Sequence, residues 1–171
     1  TLVPTLLQRQ EQFFLTRNFT SYVNNESNYA IDYPKSWAVY VWNKTSTTIY
    51  NNYTQTRIGG IWTTINVTPL SKSSFLTFFN SKPGLVLYDT ETKFVITKTT
   101  NLTIHGFDAV KYQLVKQGDP KKQILNQYET HYMINKEQVV YDIAFITYNK
   151  DLEASAEPLF DKIISSFRFT K

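Results

Sequence analysis

Apolar and polar side chains alternate along most of this chain, and that alternation predicts a protein built mainly of strands. The clearest short example is Tyr29-Ala-Ile-Asp-Tyr-Pro-Lys-Ser-Trp37, in which Tyr29, Ile31 and Tyr33 point to one side and Ala30 and Asp32 to the other. Pro34 has no N–H to donate and pushes Tyr33 toward an extended conformation, so the strand stops and turns there. Trp37 follows at a distance from which its ring folds back over the strand end and closes the core. Residues 18–23 predict a preceding strand with its turn at 24–28, and residues 38–42 a following one that turns at 43–46. Residues 47–56, rich in Thr, Tyr and Asn, predict a solvated hairpin or loop. Residues 57–67 predict a strand again, weakened at Gly59-Gly60 and closed by Pro69.

The period changes in residues 71–80. Phe75, Leu76, Phe78 and Phe79 crowd one side of a short helix, with Ser71 or Ser73 as its cap and Ser81-Lys-Pro-Gly84 as its stop. Strand alternation then resumes in residues 94–104 and 107–115 about His105-Gly106, and Gly118-Asp119-Pro120 predicts a turn. Residues 122–134 and 138–148 predict a hairpin. A tip at Lys136-Glu137 sets Tyr132 opposite Tyr141, Thr130 opposite Ile143 and Tyr128 opposite Phe145, with that face in the core. The last helical stripe is Leu159, Phe160, Ile163, Ile164 and Phe167, with Pro158 expected in its first turn, Ser155 or Asp151 as cap, and residues 167–170 extended beyond it. Residues 1–17 are expected to be an arm or short helix.

Composition narrows the function classes. The 171 residues suffice for a real core without staples, and the absence of Cys excludes disulfides and thiolate metal sites. Eighteen cationic against fourteen anionic side chains give a net charge of +4, but the longest cationic run is Lys121-Lys122, too dilute for a nucleic-acid stripe. The densest apolar window, residues 75–79, falls far short of the ~20 residues a membrane span needs. An opening at Thr1 rather than Met fits a processed secreted protein or a trimmed chain.

Three groups of residues carry candidate chemistry. His131 and Asp142, with Glu129 two residues along, share the second face of the predicted hairpin. Imidazole and carboxylate there form either a divalent-metal site or an ordinary cross-strand polar pair. Tyr40, Trp42, Tyr50 and Tyr53 cluster around the polar segment after Trp42, where they offer contact area to a partner or pack an edge strand. Asn18, Asn25, Asn43, Asn52 and Asn101 begin Asn-x-Ser/Thr sequons suited to glycosylation, whereas Asn66 begins one inside a predicted strand. No nucleophile, base and orienting group fall into a hydrolase pattern with only two His, and no cofactor motif is present.

Several motifs together resemble the PsbP-like family, whose fold is shared with the Ran-binding Mog protein of nuclear transport. They are Tyr33-Pro34 with Trp37 three positions on, a strand leading into a Phe-rich helix over residues 61–80, Ile104-His-Gly-Phe-Asp-Ala109, and Ile163-Ile-Ser-Ser-Phe-Arg-Phe169. The resemblance spans residues 19–169 and implies an α+β fold: a central antiparallel sheet flanked by helices in an α/β/α sandwich, with residues 18–171 as one domain. Members resembling this chain are photosystem-associated lumenal proteins or secreted and lipid-anchored extracytoplasmic proteins, mostly without catalytic activity, and have no family-wide catalytic residues. The expected function is therefore a non-catalytic extracytoplasmic module that docks onto a larger membrane-associated protein complex. The alternatives are a small-ligand or carbohydrate binder with a pocket between sheet and helix, and a metal-dependent role at His131 and Asp142.

Overall fold

The structure is a computed structural model and describes residues 18–51, 60–69, 72–89 and 92–171. In chain order its elements are β1 (Phe19–Asn24), β2 (Tyr29–Pro34), β3 (Trp37–Asn43), β4 (Ser46–Asn51), β5 (Trp62–Pro69), α1 (Lys72–Phe79), β6 (Val86–Asp89), β7 (Thr92–Ile104), β8 (Phe107–Lys116), β9 (Gln127–Lys136), β10 (Val139–Thr147), α2 (Lys150–Ser166) and β11 (Arg168–Phe169). The main sheet is antiparallel and eight-stranded, in the order β3-β4-β5-β10-β9-β8-β7-β6; a second sheet has the order β1-β2-β11. Among the described residues α2 covers one face of the main sheet and α1 part of the other. The expected antiparallel sheet flanked by helices is present.

Strand alternation sorts the side chains into two cores. On the α2 side lie Tyr132, Ile134, Tyr141, Ile143 and Phe145 from the hairpin, Ile49, Ile65 and Val67 beside them, and Leu159, Phe160, Ile163 and Ile164 from the helix. On the α1 side lie Val110, Tyr112, Leu114, Met133, Val140 and Phe75. Strand β7 serves both. A bulge between Ile96 and Lys98 reverses its parity, so Phe94 and Ile96 face α1 while Leu102 and Ile104, also even-numbered, face the α2 side.

The opening motif behaves as its pattern implies, with one difference. Tyr29 and Ile31 are buried and Trp37 closes the core at the start of β3, but Ala30 is buried as well, because β2 is the middle strand of its sheet and α2 lies against it. Tyr29 stacks on Phe167 with ring centres 5.7 Å apart, tying the first strands to the last. β11, the extended exit from α2, pairs with β2.

Three expectations are corrected. Residues 46–51 are a strand inside the sheet and not a solvated loop: Thr47, Ile49 and Asn51 are buried, and the β-branched Thr residues that look solvent-loving suit a pleated surface. The hairpin turns at Glu137-Gln138, with Glu137 at φ 58°, so Tyr132 faces Ile143, Tyr141 faces Ile134 and Thr130 faces Phe145. This two-residue slip keeps every side chain on its expected face. Finally, α2 begins at Lys150, capped by the Asn149 side chain, which accepts from the N–H groups of Asp151 and Leu152 at 2.9 and 3.1 Å; neither Ser155 nor Asp151 is the cap. Pro158 thus sits in mid-helix, not in the first turn. It leaves the Ala154 carbonyl without its helical donor, and both residues are exposed, so water can replace the bond.

Candidate functional site

The two carboxylates and the imidazole picked out from the hairpin do come together, on the α1 side of the sheet. His131 stands opposite Ala144, and Asp142 is its diagonal neighbour. The ring lies between the acids: Nδ1 is 2.9 Å from Asp142 Oδ1 and Nε2 is 2.7 Å from Glu129 Oε2. Tyr112 stacks flat on the ring at 4.6 Å, and Phe78 of α1 stacks on Tyr112 at 4.5 Å. Burial opposes a charge on His131, but the charge of Asp142 and its hydrogen bond, joined by those of Glu129, win and raise its pKa to about 10. Burial pushes the Tyr112 phenol well above its usual value, and the charges of Asp142 and Glu129 add to that.

This geometry is a closed ion pair and not a set of converging metal ligands. Both ring nitrogens are already engaged, on opposite edges, and a shared ion would need the lone pairs to meet at one point. Among the described residues no group of three or more His, Cys, Asp or Glu is arranged to hold a metal ion. The hydrogen-bond partners of the imidazole among the described residues are the Asp142 and Glu129 carboxylates.

The aromatic candidates are placed differently from one another. Tyr40 and Trp42 meet edge to face at 4.6 Å on β3, the edge strand, with 51% and 65% of their surfaces exposed. Trp42 falls in a bulge between Val41 and Asn43, and its indole N–H donates to Thr48 Oγ1 at 3.0 Å. Tyr50 is on the same face, opposite Ala38 and Trp62. Tyr53 and Asn52 lie outside the described residues. The structure adds two residues that the sequence reading passed over, Trp62 and Tyr148, whose rings meet edge to face at 5.4 Å. The signal for Trp62 was its cross-strand register with Tyr50, which periodicity alone does not give. Between the rings the face carries Ser46, Thr48, Thr64 and Asn66, all uncharged.

Of the sequon asparagines, Asn18, Asn25, Asn43 and Asn101 are exposed. Asn43 ends β3, and its side-chain oxygen accepts from both the N–H and the hydroxyl of Thr45 in the following turn at 2.9 Å. Asn25 sits in the β1–β2 turn, where the hydroxyl of its partner Ser27 donates to the Lys44 carbonyl. Asn66 is half-buried in β5 and accepts from the Ser46 hydroxyl.

Against family models the chain has no match, and among curated proteins none matches either. Solved structures do match. Cyanobacterial PsbP (CyanoP) from Synechocystis sp. PCC 6803 superposes with a TM-score of 0.61 at 11% identity, covering 90% of this chain and 94% of that one. The Ran-binding protein Mog1p of Saccharomyces cerevisiae gives 0.60 at 6% identity over 91% and 97%. The fold is PsbP/Mog-like. A protein from Bacteroides thetaiotaomicron VPI-5482 matches at 0.58 and 9% identity over 88% of this chain, which spans 48% of that one. At these identities the PsbP/Mog likeness concerns the fold alone.

Proposed function

We propose that this PsbP/Mog-like chain is a non-catalytic docking module. It binds a protein partner through the open face around Tyr40, Trp42, Tyr50 and Trp62, on the extracytoplasmic side of a membrane. The observation that carries the reading is the pair Tyr40 and Trp42, held outward on an edge strand by the Trp42–Thr48 hydrogen bond. Rigid, exposed rings give large contact area at low entropic cost. The surrounding Ser, Thr and Asn side chains satisfy a polar rim, and one protein of the same fold is named for binding another protein, Ran. The exposed sequons support the extracytoplasmic placement.

The test compares the wild-type chain with the Tyr40→Ala/Trp42→Ala variant in affinity capture from detergent-solubilised membranes of the source organism, alongside a glycan array. The expected result is one stoichiometric protein partner, retained by the wild type, lost by the variant and then reconstituted from purified components. Equal capture by the variant overturns the reading, and so does array binding to a glycan that needs Trp42, which would show the face to be a carbohydrate platform instead.

A further inference from the structure

The connection between β8 and β9, residues 117–126, is held in one shape by its own backbone. The Asp119 side chain accepts from Lys121 N–H at 3.0 Å and caps a short 3-10 turn, Pro120–Lys122. The Asp119 carbonyl accepts from Ile124 N–H at 2.9 Å, and the Asn126 side chain accepts from Gly118 N–H at 2.9 Å. Gln123 takes a left-handed conformation with φ 56°, and the backbone packs so closely that a Cβ on Gly118 would fall 2.1 Å from the Ile124 carbonyl oxygen.

This well-bonded loop nevertheless carries its two aliphatic side chains outward: Ile124 is 53% and Leu125 48% exposed. Beside them Lys121 and Lys122 are exposed, the longest cationic run of a chain with net charge +4. Among the described residues Lys122 has an acid nearby, Asp119, at 3.9 Å. The loop's first residue, Gln117, donates its N–H to the Lys93 carbonyl, and Lys93 pairs with Tyr88 of the outermost strand, which is 72% exposed. Tyr88, Ile124 and Leu125 and the lysines at 93, 121 and 122, with Asp119 among them, thus lie toward one end of the sheet.

We infer that this end is an anionic-lipid contact. The Ile124-Leu125 tip enters the headgroup boundary of a bilayer, Lys121 and Lys122 pair with lipid phosphates, and Tyr88 sits at headgroup depth. Each part matches what an interface of that kind rewards: apolar side chains at the acyl boundary, an amphipathic ring beside them, and cations drawn to the negative surface. A protein acidic enough to take the lysines would leave the aliphatic pair needing a pocket as well, whereas a bilayer supplies both at once. The contact stands apart from the aromatic face and does not rest on it. A chain held this way would meet a membrane-bound partner already oriented.

The test is co-sedimentation of the full chain with extruded vesicles of phosphatidylcholine alone, or with about one-third phosphatidylglycerol, at low and high salt. Binding is expected to the anionic vesicles only and to weaken at high salt. The Ile124→Ser/Leu125→Ser and Lys121→Gln/Lys122→Gln variants should each bind on the order of tenfold less. All four positions are exposed, so both variants should fold, which circular dichroism checks. In a third variant, Leu125→Trp in a Trp42→Phe background, emission should shift to the blue on anionic vesicles and not on neutral ones. No binding, equal binding to neutral vesicles, or variants that bind like the wild type overturns the inference. Because the vesicles carry no protein, such a failure leaves the aromatic docking face untouched, and Trp42→Ala should bind vesicles as the wild type does.

Discussion

The buried imidazole of His131 shows how a single residue ties this fold to pH. Its pKa is raised from the ordinary value to about 10 by Asp142 and Glu129. The folded state therefore holds a proton that the unfolded chain releases near pH 6.5. The resulting stabilisation is complete below about pH 6.5 and is lost as the pH rises toward 10. The His131→Gln variant should lack this component. At about pH 6 we expect it to be less stable than the wild type by about 3–5 kcal/mol, because the buried Glu129 and half-buried Asp142 carboxylates lose their cation, and the gap should narrow by about pH 9. Urea melts at the two pH values check both the size and the sign. Since both ring nitrogens are engaged, adding zinc to the wild type should leave the melting temperature unchanged. A rise would mean that the ring can release a carboxylate to a metal.

Among the elements, α2 is the one whose sequence signals conflict. Its stripe of Leu159, Phe160, Ile163 and Ile164 is buried as periodicity requires, yet Pro158 marks a helix start in a place where the helix is already half complete. Asn149 was the signal for the true start. It was overshadowed by the proline and by polar residues downstream that also resemble caps. Asn149→Ala should cost about 1 kcal/mol by leaving two N–H groups without their acceptor. Pro158→Ala should stabilise by about 1–3 kcal/mol, by restoring a bond to the Ala154 carbonyl and removing a ring clash. Thermal melts of the two variants should move in opposite directions. Failure of Pro158→Ala to raise the midpoint would show that the helix has fully accommodated the ring. The strands were legible for a related reason: period two survives errors of pairing. The β9–β10 tip gave no glycine to reveal a positive φ at Glu137, so the register came out two residues wrong while the faces came out right. Asp142 was consequently expected directly across from His131 and is found on the diagonal, still within hydrogen-bonding distance. β4 was lost to composition, since Thr and Asn read as solvent-facing wherever both flanking strands are not yet placed.

Over the whole molecule, one sheet separates two cores of unequal size, and this asymmetry predicts how the protein opens. The α2 side joins both sheets and a long helix through Phe145, Phe160, Phe167 and Tyr29, and Lys111 bolts the helix down with bonds of 2.7 Å to Glu157 and 3.0 Å to Asp161. Burial alone would lower the Lys111 pKa, but those two hydrogen bonds and charges raise it, so the bolt stays charged. The α1 side rests on an eight-residue helix and a smaller cluster centred on Phe75, Tyr112 and Met133. A sequence reading could name both helices but not this imbalance, because the parity switch at the β7 bulge decides which strand residues each helix receives. Phe160→Ala should cost about 3–5 kcal/mol and speed hydrogen exchange throughout β8, β9 and β10, since the damage reaches the global unfolding step. Phe75→Ala removes a ring of the same size, but the short helix it anchors can lift away while the sheet stays paired. Exchange should then accelerate in α1 and far less in β9 and β10, with a smaller fall in the denaturation midpoint. Comparable global loss in both variants would mean that α1 and the sheet unfold as one unit, coupled through the ring stack from Phe78 through Tyr112 to His131 on their shared side.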